Sequence, residues 1–160
     1  MKPNVDYEKM ITIKNGEDVT LRTEYVSAEE YIDFLRRSDL GKQYPNEDFQ
    51  QRVTALVRNI QISLIARNKQ SQIIGICFGL TDFVYWLMIT DLGTDRSYEK
   101  QGLGKTLMEV AHELAGGEKK IIVFAYANDD AIPFYKKIGM EEAKSMMIKD
   151  NVEYTYFVVE

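Results

Sequence analysis

One stretch in the second half of the chain limits the possible folds more than any other. It joins the apolar run Trp86–Leu92, through a polar loop, to the turn Gly102-Leu103-Gly104. Beyond the turn, apolar residues recur at the spacing of one helical face. These residues are Leu103, Leu107, Val110, Ala111 and Leu114. The pattern predicts a strand, a loop and a helix over 102–114, which Gly116-Gly117 ends.

Strand and helix signals fill the rest of the chain, without an internal repeat or a flexible linker. Asn15-Gly16 favours a turn between two strands, because both residues readily adopt positive φ. Ser27-Ala28-Glu29-Glu30 has the pattern of a capping box and predicts a helix that begins at Ser27. The further predicted elements are strands at 10–14 and 19–25, a helix at 47–60, strands at 62–66, 73–80, 86–92 and 121–126, a helix at 130–138 capped by Gly139, and a final hairpin of 146–148 and 154–159. We expect strand 86–92 to be buried on both faces.

This pattern and the length of 160 residues predict a single α+β domain over 1–160. The formal net charge of −5 argues against nucleic acid or an anionic membrane as the main partner. The single cysteine, Cys77, cannot form an internal disulfide. The first residues carry no apolar signal core, and no apolar run reaches transmembrane length. We therefore expect a cytoplasmic protein.

The glycine turn has the properties of a phosphate site. Glycines expose backbone N–H groups and let an anion approach without a Cβ in the way. A helix N-terminus adds free donors and a partial positive charge, and Lys100 and Lys105 bracket the turn. A P-loop would need glycine at Glu99, and a dinucleotide fingerprint would need glycine at Leu107, so neither motif fits. The remaining candidate is the pyrophosphate of coenzyme A.

Two motifs connect this turn to a known family. Gly102-Leu103-Gly104 looks like the second half of an Arg/Gln-x-x-Gly-x-Gly/Ala turn, with Glu99 where Arg or Gln is usual. Residues 130–140 look like a second motif that ends in Phe-Tyr-x-x-x-Gly-Phe, with Met140 in place of the last Phe. With these motifs and this element order, the chain resembles the GNAT superfamily of acetyl-CoA-dependent N-acetyltransferases, most clearly over 86–140.

The resemblance implies a mixed, mostly antiparallel central sheet with helices on both faces and two splayed central strands. It implies acetyl-CoA as the cofactor, with the pantetheine arm paired to the splayed strand as an added strand. A backbone N–H near Leu92 would polarise the thioester carbonyl, and Tyr135 would protonate the departing thiolate. The implied cofactor-binding residues are Leu92, Thr94, Lys100, Gln101, Gly102, Leu103, Gly104, Lys105, Asn128, Phe134 and Tyr135.

Asp91 is a candidate general base, because an amine with a pKa of about 10 is neutral in only about one molecule per thousand at pH 7. The alternative is a charge that faces water beside a strand end. Tyr135 could instead pack its ring in the core, and Asn128 could serve only as a turn residue. His112 lies off the apolar stripe of its helix, so we expect it to be solvated.

We expect Cys77 to lie in the core, which disfavours an acyl-cysteine route. Three aromatic residues, Phe83, Tyr85 and Trp86, border the acceptor pocket or pack on the sheet. The predicted function is acetyl transfer from acetyl-CoA to a primary amine by direct attack in a ternary complex. The acceptor would be a small molecule or a peptide, and no metal site is predicted. A homodimer is compatible with the sequence. The alternative is a non-catalytic sensor or interaction domain that binds coenzyme A.

Overall fold

A computed structural model describes residues 5–160, and its elements are built around one large sheet. The absence of a leader was predicted partly from residues 1–4, which lie outside this range. The strands are β1 Glu8–Thr12, β2 Asp18–Thr23, β3 Tyr44–Pro45, β4 Ile62–Arg67, β5 Ile73–Thr81, β6 Trp86–Thr94, β7 Ile122–Ala125 and β8 Tyr156–Phe157. The helices are α1 Ala28–Arg37, α2 Phe49–Asn59, α3 Leu103–Ala115 and α4 Ile132–Lys137, with 3₁₀ turns at Asp39–Gly41 and Arg96–Tyr98.

The large sheet has the strand order β1-β2-β4-β5-β6-β7. All neighbours are antiparallel except β6 and β7, which run parallel. Strands β3 and β8 form a separate two-stranded sheet. The predicted class, an α+β fold with a mixed and mostly antiparallel sheet, is confirmed.

A hydrophobic core lies on each face of the sheet. Helix α3 covers one face, where Leu103, Leu107 and Ala111 pack against side chains from β4 to β6. Helices α1 and α2 cover the other face, where Tyr31 and Phe34 pack against strand residues such as Phe78. Because alternate strand residues point to opposite faces, β4 and β5 contribute to both cores and are almost entirely buried.

The local signals near the N-terminus give the structures they predict. Strands β1 and β2 pair around a turn in which Gly16 has φ +88°. Helix α1 begins with the capping box: Glu30 N donates to Ser27 Oγ at 3.1 Å, and Ser27 N donates to Glu30 Oε2 at 3.2 Å. These features depend on residues within a few positions of each other, so a sequence pattern suffices to predict them.

A β-bulge in β6 determines which way Asp91 points. Phe78 pairs with Asp91, but the next residue of β5, Gly79, pairs with Ile89, so Thr90 is an extra residue. Before the bulge, Ile89 faces α3 with the buried side chains of that core. The extra residue reverses the alternation, and the Asp91 side chain therefore turns to the α1 face.

Strands β6 and β7 separate beyond the bulge. Their pairing ends at Ile89 and Ala125, whereas β6 continues to Thr94. Asp95 N donates to Ile74 O at 2.9 Å, so the amide of residue 95 points to β5. Because amides alternate along a strand, those of Leu92 and Thr94 point away from β5, into the gap between β6 and β7.

Two expectations about the strands are wrong. Strand β6 is not buried on both faces, because Trp86 and Thr90 are exposed while Leu87 and Ile89 are buried. The predicted C-terminal hairpin is absent, since residues 141–155 include no strand. The end of the segment instead lies beside the connection between α1 and α2, where Asn46 N donates to Thr155 O at 2.8 Å and β8 pairs with β3.

Candidate active site

The start of α3 forms a cluster of free backbone donors. Gly102, the residue before the helix, has φ +80°, and Lys100 has φ +60°. Both lie in the left-handed region, which turns the chain sharply into the helix. The first helical bond runs from Thr106 N to Gly102 O at 3.2 Å. The N–H groups of residues 103–105 therefore have no acceptor within the helix and can bind an anion.

The second motif packs directly on this turn. A Cβ added to Gly104 would lie 3.4 Å from Cζ of Phe134, so the Phe134 ring covers the first turn of α3. Tyr135 follows on α4, and its ring packs edge-on against Phe134 with centroids 5.3 Å apart. The fold thus brings two motifs that are about 30 residues apart to one end of the gap between β6 and β7.

Side chains at the turn carry opposite charges. Lys100, Lys105 and Glu99 are exposed, and Lys105 Nζ lies 3.7 Å from Glu109 Oε1. Gln101 is half-buried and its carbonyl accepts a hydrogen bond from Lys14 N at 3.4 Å. The Leu103 side chain is buried in the core, so only the backbone N–H of this residue can contact an anion at the turn.

Asp91 lies on the opposite side of β6 from α3. It accepts a hydrogen bond from the hydroxyl of Tyr31, which is completely buried, at 3.1 Å. Burial raises the pKa of Asp91, and the hydrogen bond from Tyr31 opposes part of this rise. A carboxylate that is held by a buried phenol and has a raised pKa suits proton abstraction better than a solvated one does.

Tyr135 lies within electrostatic reach of Asp91. Burial raises the pKa of Tyr135 to about 12, and the nearby Asp91 carboxylate adds to this shift. The phenol therefore keeps its proton throughout the neutral range. Cys77 is completely buried, as predicted, and burial raises its pKa well above the usual range. Such a thiol is a poor nucleophile at neutral pH.

Asn128 forms a turn contact: its Oδ1 accepts a hydrogen bond from Ala131 N at 3.0 Å.

Contrary to the prediction, His112 is not solvated. Its Nε2 lies 2.9 Å from the carbonyl oxygen of Ile121, and the ring is half-buried. The residue just before β7 supplies this partner, which the helical pattern does not reveal. Phe83, Tyr85 and Trp86 are exposed where β5 turns into β6.

Sequence reasoning missed two residues of this site. Tyr31 lies on the buried face of α1, and its hydroxyl reaches Asp91, sixty residues later in the chain. Lys14 follows β1, and its Cε lies 3.6 Å from the position of a Cβ on Gly102. No local pattern connects either residue with its partner, because the sheet brings them together.

The part of the chain from residue 5 onward contains no group of three His, Cys, Asp or Glu side chains placed to hold a metal ion. None of the helices described in that range combines the length and the apolar character needed to cross a membrane.

Solved structures with the same fold include several acetyltransferases. A GNAT-family acetyltransferase from Streptococcus pneumoniae has 18% identity and a TM-score of 0.61, over 84% of this chain and 99% of that one. The GNAT-family N-acetyltransferase YhbS from Escherichia coli, solved with CoA, has 21% identity and a TM-score of 0.58, over 77% and 68% of the two chains.

The aminoglycoside N-acetyltransferase AAC(6′)-Iy, solved with the bisubstrate analogue CoA-S-monomethyl-acetylneamine, has 12% identity and a TM-score of 0.59. That alignment covers 84% of this chain and 98% of the other. At these identities the structures establish the fold. In addition, the model of the Acetyltransferase (GNAT) family matches residues 27–140, which is more than half of the sequence. This chain therefore belongs to the GNAT acetyltransferase family.

Proposed function

We propose that this protein transfers an acetyl group from acetyl-CoA to a primary amine by direct attack in a ternary complex. The observation that carries the proposal is the open edge of β6. The Leu92 and Thr94 amides face the gap beyond Ala125, with the free donors of α3 at one end and Asp91 and Tyr135 beside it.

The residues around the gap fit the two parts of acetyl-CoA that would lie there, the pyrophosphate and the pantetheine arm. The amides of residues 103–105 suit the pyrophosphate, and Gly102 and Gly104 keep Cβ atoms away from it. The free edge of β6 suits the amide groups of the pantetheine arm, which would pair with Leu92 and Thr94 as an added strand. We assign Lys100, Gln101, Leu103, Lys105, Asn128, Phe134 and Tyr135 to the same site. Of these, Phe134 is supported by its packing on Gly104.

When bound, acetyl-CoA supplies an activated thioester carbonyl. The chain supplies the proton transfers around it. Asp91 takes a proton from the acceptor ammonium, and its raised pKa supports that role. A backbone N–H near Leu92 would donate a hydrogen bond to the thioester carbonyl oxygen and polarise it. Tyr135 holds a proton at its hydroxyl for the departing sulfur, in keeping with its pKa of about 12.

The acceptor lies on the α1 face in this proposal, because the bulge turns Asp91 to that side of the sheet. A net charge of −5 is compatible with a cationic acceptor. The acceptor class we propose is a small-molecule or peptide amine. One structural neighbour is named an aminoglycoside N-acetyltransferase, and aminoglycosides belong to the first kind. We further propose a single domain over residues 1–160 that acts in the cytoplasm.

A turnover assay tests the proposal directly. Purified protein is incubated with acetyl-CoA and a panel of polyamines, amino acids, aminoglycosides and peptides, and release of free thiol is followed. We expect turnover with at least one amine, together with acetyl-CoA binding by calorimetry. Binding of acetyl-CoA without turnover of any amine would instead favour the non-catalytic sensor.

A further inference from the structure

The turn between β1 and β2 places a lysine beside the first turn of α3. The Cε of Lys14 lies 3.6 Å from the position that a Cβ on Gly102 would occupy, and the charged Nζ is one bond further. Gly102 immediately precedes the free N–H groups of α3. The ammonium group therefore lies near the residue that precedes these backbone donors, although Lys14 is almost ninety residues away in sequence.

Hydrogen bonds hold this turn against the loop before α3. Lys14 N donates to Gln101 O at 3.4 Å. The hydroxyl of Tyr98 donates to Glu17 Oε1 at 3.1 Å and accepts from Asn68 Nδ2 at 3.3 Å. The backbone of Lys14 is thus tied to the glycine turn, so contact with a ligand would order its side chain without the further entropic cost of ordering a loop.

The other charged side chains of the turn differ in how available they are to an anion. Glu99 occupies the position where related turns carry Arg or Gln. Lys105 interacts with Glu109 along α3. Lys14 and Lys100 form no ion pair with any carboxylate in the described part of the chain, which extends from residue 5 to residue 160, so both ammonium groups remain available to an anion.

We infer that Lys14 is a cofactor-binding residue whose ammonium contacts the pyrophosphate held by α3. In this role it adds a cationic contact to those proposed for Lys100 and Lys105, beside the negative charge of Glu99. The inference rests on the proposed function, because it requires that the first turn of α3 binds the cofactor.

The test compares Lys14→Met with the wild type by calorimetry, using CoA, 3′-dephospho-CoA and S-acetyl-pantetheine as probes. We expect Lys14→Met to weaken CoA and 3′-dephospho-CoA binding by about five- to tenfold at low salt, and by less at high salt. S-acetyl-pantetheine has no phosphate, so its affinity should not change. Lys14→Arg should retain most of the CoA affinity, because it keeps the charge.

Lys119→Met is the matched control, because Lys119 is an exposed lysine beyond the opposite end of α3. It should bind all three probes like the wild type. Equal CoA affinity in Lys14→Met and the wild type would overturn the inference and leave the proposed function intact. If Lys14→Met also weakened the binding of S-acetyl-pantetheine, the contact would not be with a phosphate. If it weakened the binding of CoA but not of 3′-dephospho-CoA, the contact would be with the 3′-phosphate and the pyrophosphate contact would be overturned. If the wild type itself did not bind CoA, the proposed function would fail first.

Discussion

At the scale of single residues, Tyr135 carries the clearest chemical test. Tyr135→Phe keeps the ring that packs against Phe134 and removes only the hydroxyl. We expect kcat to fall by roughly 10²-fold with little change in acetyl-CoA affinity, because the lost group acts on the departing sulfur. The measurement is steady-state turnover beside direct binding. A variant with full kcat would show that Tyr135 only packs.

Replacing Asp91 should lower kcat but raise the stability of the fold at neutral pH. Asp91→Asn keeps an oxygen that can accept from Tyr31 but cannot take a proton, so we expect kcat to fall by at least roughly 10²-fold. The raised pKa of Asp91 means that the folded state binds the proton more tightly than the unfolded state. Stability therefore falls as pH rises from the unfolded pKa through the folded one, and it stays at the lower level at neutral pH.

The asparagine variant has no such titration. We expect it to unfold at a higher temperature than the wild type at pH 7, and the difference should shrink as the pH is lowered below the pKa of Asp91 in both states. Thermal unfolding at several pH values measures this. An Asp91→Asn variant with lower stability at pH 7 would show that the hydrogen bond from Tyr31 outweighs the cost of burying the charge.

At the scale of elements, a side chain at position 104 in the turn into α3 should weaken cofactor binding. A Cβ on Gly104 would lie 3.4 Å from the Phe134 ring, and the larger side chain of Gly104→Val would also block the space over the free amides. We expect CoA binding to weaken at least tenfold, about 1.4 kcal/mol, with a largely intact fold. Gly104→Ala should weaken binding less. Unchanged CoA affinity in Gly104→Val would exclude the turn as the cofactor site.

The open edge of β6 predicts a pattern of hydrogen exchange. The amides of Leu92 and Thr94 face the gap, whereas Gly93 between them pairs with Ile76 on β5. In the free protein we expect residues 92 and 94 to exchange faster than residue 93. Saturating CoA should slow residues 92 and 94 and leave residue 93 nearly unchanged. Amide-resolved exchange by NMR measures all three, with Gly93 as the internal control.

The elements also show where sequence patterns are sufficient. The hairpin at Gly16, the capped start of α1 and the strand–turn–helix around Gly102 were predicted within a few residues. The predicted final hairpin is absent, because 146–148 form no strand and 156–157 pair with β3 outside the large sheet. The direction of Asp91 depends on the bulge at Thr90, and no residue pattern in β6 marks that insertion.

At the scale of the whole molecule, the net charge of −5 opposes an anionic cofactor, so the local charges at the turn become important. Glu99→Gln removes one exposed negative charge beside the proposed phosphate site. We expect a few-fold tighter CoA binding at low ionic strength and almost no effect at high salt, because salt screens exposed charges. The measurement is Kd against salt concentration.

Glu8→Gln on β1 is the control, since it makes the same change in net charge at an exposed position away from α3. It should change Kd less than Glu99→Gln does. Equal effects of the two substitutions would assign the repulsion to the overall charge. If Glu99→Gln has no effect at low ionic strength, the carboxylate points away from the bound phosphates.

The divergence of β6 and β7 leaves the sheet one strand short between its last two strands, with a packed core on each face. A ligand that completes the sheet binds only the folded chain, so it shifts the folding equilibrium by mass action. At a free ligand concentration of one hundred times Kd this amounts to about 2.7 kcal/mol, a sizeable fraction of the total stability of an ordinary domain. The resistance of this protein to heat and proteolysis should therefore follow the supply of acetyl-CoA. In a cell, its abundance would therefore rise and fall with the concentration of acetyl-CoA.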